Sequence, residues 1–247
     1  MTASIAAISQ PRHGRMMIDG GTDIAVAAGL GHVPIGLGEI PLAGCDYPMV
    51  LIKDGATGGF RLVALLGFNA GCNLFVMGEN WLATYLPHNI LRLPFCLGAP
   101  DGENVVACID ETSALLNEQR GTALFDADGG ETAFLTGRRA LMDRMQKDAE
   151  AATGFVSAIV AARIVRPMTL TLHFEDLRQQ DIEGTYTIDP LALEDLPEEI
   201  LLNLHRSGYI GAVYALIHSL GQVNRLEQLH NARGDSRIIA STTQLHL

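Results

Sequence analysis

The chain has 247 residues, of which 18% are charged and 48% hydrophobic, a balance that supports a full core and excludes a largely disordered chain. Lys and Arg total 17 against 28 Asp and Glu, a net charge of −11 without any basic run, so nucleic acid is not an expected partner. Few charges are left to cover the surface, and an apolar patch shielded by a protein or peptide partner, a second copy of the chain included, is expected.

The first twenty residues read as irregular, with residues 1 to 12 an arm ahead of a single domain at 13–231. MTASIAAISQPRHGRMM has no basic stretch followed by an apolar run of signal-peptide length. Sec-type export is therefore not expected, and a cytoplasmic location is the default, with the cell surface by a non-Sec route as the alternative. No stretch reaches the roughly 18 apolar residues of a membrane span. DIAVAAGLGHVPIGLGEIPLAG suggests brief strands joined by turns. YPMVLIK and FRLVALLGF predict a hairpin across DGATGG, and NLFVM, ILRLPFCLG and NVVACID extend an antiparallel meander over 47–110.

After an acidic, turn-like stretch at 111–131, Leu141, Met142, Met145, Ala149 and Ala152 and then Phe155, Val156, Ile159 and Val160 recur at helical spacing. Thr153 is read as an N-cap between two helical segments, Gly154 weakens a continuous helix, and Pro167 closes the region. Met168, Leu170, Leu172 and Phe174 alternate with polar residues, so 168–175 is a half-buried strand with IEGTYTI as its hairpin partner. Residues 190–231 read as helical with a break at Ser207-Gly208, and 232–247 as a loosely attached tail. Strands, helices, a hairpin and more helices without βαβ alternation give an α+β fold, mainly antiparallel, with packed helices and a helical carboxy-terminal region.

The chemistry-bearing residues form no complete motif. GLGHVP and GLGEIP start like dinucleotide fingerprints but carry proline at the third glycine and open no helical pattern, so they read as turns. Asp126 to Glu131 lacks the remaining ligands of a calcium loop. His173 and Glu175 lie on the polar face of a strand and read as a solvated pair. Cys45, Cys72, Cys96 and Cys108 contain no CxxC pair and read as buried thiols. No cofactor or metal site is expected. Tyr214 and His218, one helical turn apart, present a phenol with an imidazole. The stretch from Asn73 through Trp81, Tyr85 and Arg92 gathers the most varied polar and aromatic side chains, the types favoured in recognition surfaces.

DYPMVLIK, RLVALLGF to NLFVMGENW, YLPHNILRLPFCLG, VVACIDETSALL, LFDADGGET, IEGTYTIDPLALEDLP and LLNLHRSGYIGAVYALIHSLGQ, in this order across residues 13–230, resemble the bacterial SapC family. Among the matching positions are Glu39, Tyr47, Asn73, Trp81, Arg92, Asp110, Gly184, His218 and Ser219. The resemblance implies association with a bacterial surface layer or, since related genes often lie near those for outer-membrane TonB-dependent receptors and tryptophan-halogenase-like flavoproteins, an accessory role in uptake or in modifying a peptide or cell-surface product. It brings no reaction and no catalytic residue set. Where the family leads one to expect paired arginines, this chain has Leu91-Arg92. The resulting expectation is a non-enzymatic accessory protein that binds a protein, peptide or small molecule through the 73–95 region, with Asn73, Trp81, Tyr85, Arg92, Tyr214 and His218 as binding candidates. The alternatives are an enzyme or enzyme subunit in peptide or natural-product modification, with His218 and Tyr214 as acid-base candidates near Arg92, and a surface-layer component.

Overall fold

The computed structural model describes residues 4–20, 22–55, 57–99, 102, 105–234 and 236–246. The chain is α+β, and its strands pair antiparallel. It divides into two compact units, Met1–Ala27 with His88–Lys147, and Ala28–Pro87 with Asp148–Leu247.

The second unit is built on a six-stranded sheet in the spatial order Ile238–Leu245, Val165–Phe174, Gln179–Ile188, Met49–Lys53, Phe60–Leu65 and His32–Pro34. Met49–Lys53 and Phe60–Leu65 form the predicted hairpin, with Met49 opposite Ala64 and Lys53 opposite Phe60. Met49, Val50, Leu51 and the whole run from Leu62 to Leu66 are buried, because an unbroken apolar strand must be covered on both faces. In the turn, Thr57 N–H donates to Asp54 Oδ1 at 2.9 Å; Ala56 of the predicted connection lies outside the described residues.

Met168, Leu170, Leu172 and Phe174 are buried while Thr169, Thr171 and His173 are half-buried, so the alternation in sequence is the alternation of the strand's two faces. Its partner Gln179–Ile188 slips register between Met168 and Leu170, where Gly184 at φ +76° supplies the left-handed conformation of a bulge. Helices Pro190–Glu194, Glu198–Arg206, Ile210–Ser219 and Val223–Asn231 follow, broken after Arg206 by Gly208 at φ +74°. Ser219 ties the third of them to the sheet: its hydroxyl accepts from Met49 N–H at 3.0 Å and donates to Leu216 O at 2.7 Å.

The first unit carries two small sheets. In one, Val106–Asp110 is flanked by Ile5–Ala7 and Phe95–Gly98; in the other, Met17–Ile18 is flanked by Leu116–Asn117 and Thr122–Ala123. Ile8, Ile18, Phe95, Ile109, Leu124, Phe125, Leu135 and Met142 form its buried core. His13, fully buried, accepts from Ser9 N–H at Nδ1, and its Nε2 faces Glu111 Oε1 at 3.3 Å.

Several elements differ from the sequence expectation. The amino-terminal arm is not irregular: Ile5–Ala7 pairs with Cys108–Asp110, and there Ala6 and Ile8 leave water. The expected loose tail contains Ile238–Leu245, an edge strand paired along Val165–Phe174. Residues 23–44 hold one short strand among helical turns, Ile24–Ala27, Leu37–Glu39 and Ile40–Ala43, since Pro41 starts a helix well and Glu39 turns back to accept from Gly36 N–H at 2.9 Å. The 47–110 meander is split, its strands belonging to different sheets in the two units.

Ala133–Ala161 is one continuous helix. Thr153 does not cap it; its hydroxyl donates to Ala149 O at 2.9 Å. Pro167 lies inside a strand, and the helix ends earlier, at Ala161, followed by a turn in which Arg163 takes φ +59°. Of the four thiols only Cys108 is buried, Cys45 being exposed and Cys72 and Cys96 half-buried.

Candidate functional site

Residues 73–87 of the second unit hold the side chains that chemical variety singles out. Asn73, 2% exposed, accepts from Phe75 N–H through Oδ1 at 2.9 Å, an Asx turn that swings the chain into a miniature hairpin. There Val76–Met77 pairs with Asn80–Trp81, and Gly78 at φ +62° takes the first loop position, where a two-residue hairpin of the II′ kind needs glycine. Arg233 clamps the approach, donating from Nη2 to Asn73 O and Val76 O, both at 2.8 Å. Arg225 donates to Leu82 O at 3.3 Å.

Trp81 closes the structure. Its ring stacks on Phe75 at 6.1 Å, and its Nε1–H is shared between Tyr47 Oη at 2.8 Å and Tyr85 O at 3.2 Å. Tyr47, fully buried, sits edge-on to Phe75 at 4.7 Å and donates its hydroxyl to Tyr85 O. Tyr85 N–H donates to Asp46 Oδ2 at 2.7 Å, and its phenol donates to Glu39 Oε1 at 2.8 Å. Burial raises both phenols well above the ordinary range; Glu39 adds to the shift at Tyr85, and Asp46 and Glu39 add to it at Tyr47 against the Trp81 hydrogen bond. Two phenols held protonated as donors fix a loop. They do not take protons from a substrate near neutral pH.

Glu39 belongs to GLGEIP, and the glycines of that motif do permit a close approach, to the chain's own Asp148. Gly38 N–H donates to Asp148 Oδ1 at 2.7 Å, and a Cβ on Gly36 would lie 2.1 Å from Asp148 Oδ2. A carboxylate of this chain lies where a nucleotide fingerprint would present a phosphate.

The other sequence candidates are placed elsewhere. Tyr214 and His218 lie exposed on helix Ile210–Ser219, with ring centroids 6.1 Å apart. Arg92 belongs to the first unit, half-buried, and donates from Nε to Asn89 Oδ1 at 3.2 Å and from Nη1 to Phe95 O at 2.6 Å. Burial lowers its pKa, opposed by the neighbouring Cys96. Leu91, where a second arginine would stand, presents its carbonyl to Arg138 Nη1 at 2.7 Å. So Asn73, Trp81 and Tyr85 are brought together in one network, while Arg92 sits in the first unit and Tyr214 and His218 form a separate exposed pair.

The SapC family profile matches residues 8–226, most of the chain. The chain belongs to the SapC family. No curated protein and no solved structure matches it. In this SapC member the described residues contain no group of three or more His, Cys, Asp or Glu side chains placed to hold a metal, and no helix long and apolar enough to cross a membrane. The supports that residue chemistry alone missed are Asp46, Arg225 and Arg233. Glu39 and Tyr47 were visible through the family motifs, but nothing in the sequence near Arg225 or Arg233 marks those side chains as clamps on a loop.

Proposed function

We propose that this SapC chain is a non-enzymatic accessory protein that binds a protein or peptide partner through the 73–87 hairpin, in a bacterial surface, uptake or peptide-modification system. The observation that carries this reading is the division of labour in the segment. Its inward groups, Asn73, Phe75, Tyr85 and the Trp81 N–H, are committed to holding the backbone. Its outward side chains at the tip, Met77 at 62% exposure with Glu79 and Asn80, are presented to solvent. A backbone tied by these bonds loses little conformational entropy when it docks, and the flexible, polarizable side chain of Met77 can adapt to a partner's surface. The absence of any complete catalytic motif in the sequence supports the same reading, and the location expected from the sequence is the cytoplasm.

The test is site-specific photo-crosslinking in the native host, with the reactive side chain at position 77 and a control at Leu177, which is 90% exposed in another part of the same unit. The expected result is one dominant protein or peptide adduct from position 77 that the control lacks. Identical adduct patterns from the two positions, or no adduct from 77, would sink the proposal.

A further inference from the structure

Arg92 lines a cavity of about 200 Å³ in the first unit, together with Asp23, Cys96, Asp110, Ser113 and aliphatic side chains. The hairpin contains none of these residues, and their hydrogen bonding is incomplete. Asp23 is 6% exposed, yet among the described residues its carboxylate accepts only from Ser113 Oγ at 2.7 Å and, at the long distance of 3.4 Å, from Val26 N–H. A carboxylate has about four acceptor sites, so Asp23 keeps spare capacity. Arg92 uses Nε and one Nη1 proton on Asn89 and Phe95, which leaves Nη2 of its fork without a hydrogen-bond partner among the described residues. The two groups line the same cavity without forming an ion pair with each other among the described residues.

The charge count narrows the ligand. Asp110 is a third ionic group on the wall; its Oδ1 already accepts from Thr112 N–H, Thr112 Oγ and Ser4 N–H. One guanidinium against two carboxylates disfavours a simple anion, and the guanidinium disfavours a simple cation. A ligand carrying both signs a few bonds apart satisfies Arg92 and Asp23 together. The size agrees, since about 200 Å³ lies below the roughly 300 Å³ at which sites for drug-sized molecules begin.

We propose that this cavity binds a small zwitterion, a free α-amino acid, whose carboxylate meets Arg92 and whose ammonium group meets Asp23 with Ser113. The probes are glycine, L-alanine, L-serine and L-valine, with glycylglycine as the longer zwitterion and acetate and methylamine as the separate halves. Isothermal titration of the full chain is expected to show saturable binding of at least one amino acid, and binding of acetate and methylamine weaker by about tenfold or more. Arg92→Gln and Asp23→Asn should each weaken the amino acid by about tenfold or more, with unfolding curves confirming that both variants fold. Because Cys96 lines the cavity, the bound amino acid should also slow its alkylation, read by peptide mass mapping, while the exposed Cys45 alkylates at an unchanged rate. Preference for glycylglycine would assign a peptide rather than a free amino acid to the same two charges and overturn the α-amino acid. No saturable binding across the panel, or binding unchanged in both variants, overturns the site itself. Neither result bears on crosslinking from position 77, so this inference and the partner-binding reading fail separately.

Discussion

Thr187 buries its hydroxyl at 1% exposure, and Oγ1 finds no hydrogen-bond partner among the described residues. A buried polar atom without a partner carries a desolvation cost with nothing to offset it. Thr187→Val keeps the β-branched shape that the strand favours and removes the oxygen, so it should stabilise the fold by about 1 kcal/mol, read as a raised denaturant midpoint. Tyr85 is the opposite case. Its phenol donates to Glu39, which is 3% exposed, and Tyr85→Phe should cost about 1–3 kcal/mol by removing a charge-assisted donor. The sign of the pH dependence follows from the same bond. The folded-state pKa values of Tyr47 and Tyr85 are raised, chiefly by burial. Their stabilisation is therefore complete below the unfolded tyrosine value of about 10 and is lost as pH rises above it. Denaturant midpoints measured from about pH 9 upward should fall more steeply in the wild type than in Tyr85→Phe, with tyrosinate absorbance rising together with unfolding. Asn73, Trp81 and Tyr85 were legible as special because their chemistry is unusual for an apolar chain. Their partners were not, since Asp46 and Glu39 lie 39 and 46 residues from Tyr85, and Arg233 lies 160 from Asn73. A sequence states what a side chain is, not what it faces.

At the scale of the element, legibility followed length and period. The strand at 168–174 and the helices after Pro190 were readable because each repeats its pattern over several residues. Met17–Ile18, Leu116–Asn117 and Thr122–Ala123 are two residues each, too short for any period to show. Gly154 and Thr153 argued for a helix break that packing overrides, with Phe155 and Ile159 fully buried on the same helix. GLGEIP shows what a local reading misses: read as a turn that opens no helix, it forms the 3-10 helix Leu37–Glu39 running into Ile40–Ala43, and its glycines lie against Asp148. Gly36→Ala would drive a methyl against that carboxylate, whose Oδ2 lies 2.1 Å from the Cβ position. The substitution should cost about 1–3 kcal/mol. If the carboxylate is the obstacle, adding Asp148→Ala should recover part of the loss, and a double-mutant cycle measures how much. Strictly additive losses would place the strain elsewhere.

For the whole molecule, the two ends of the chain act as structure. Ile5–Ala7 completes one sheet of the first unit, and Ile238–Leu245 forms an edge of the large sheet in the second. The carboxy-terminal strand pairs with Val165–Phe174 from Met168 to Phe174 and buries Ile238 to 3% exposure. A chain ending at Arg237 would lose that ladder and that side chain together. Each ladder hydrogen bond contributes about 1 kcal/mol and a buried isoleucine about 1.5–3 kcal/mol, so the truncation should cost several kcal/mol after the chain entropy regained by the freed strand is deducted. Set against the 5–15 kcal/mol typical of a folded domain, that would leave the unit marginal. It would also bare the backbone of a long strand whose inner face is Met168, Leu170, Leu172 and Phe174, a template for pairing with a second chain. The expected outcome is a lower midpoint together with concentration-dependent association on size-exclusion chromatography with light scattering. A truncated chain that stays monomeric with an unchanged midpoint would mean that the strand contributes nothing to the unit it completes. Trp81, the only tryptophan, lies in that unit and hydrogen-bonds within the hairpin network, so its fluorescence shows whether the hairpin loosens along with the sheet.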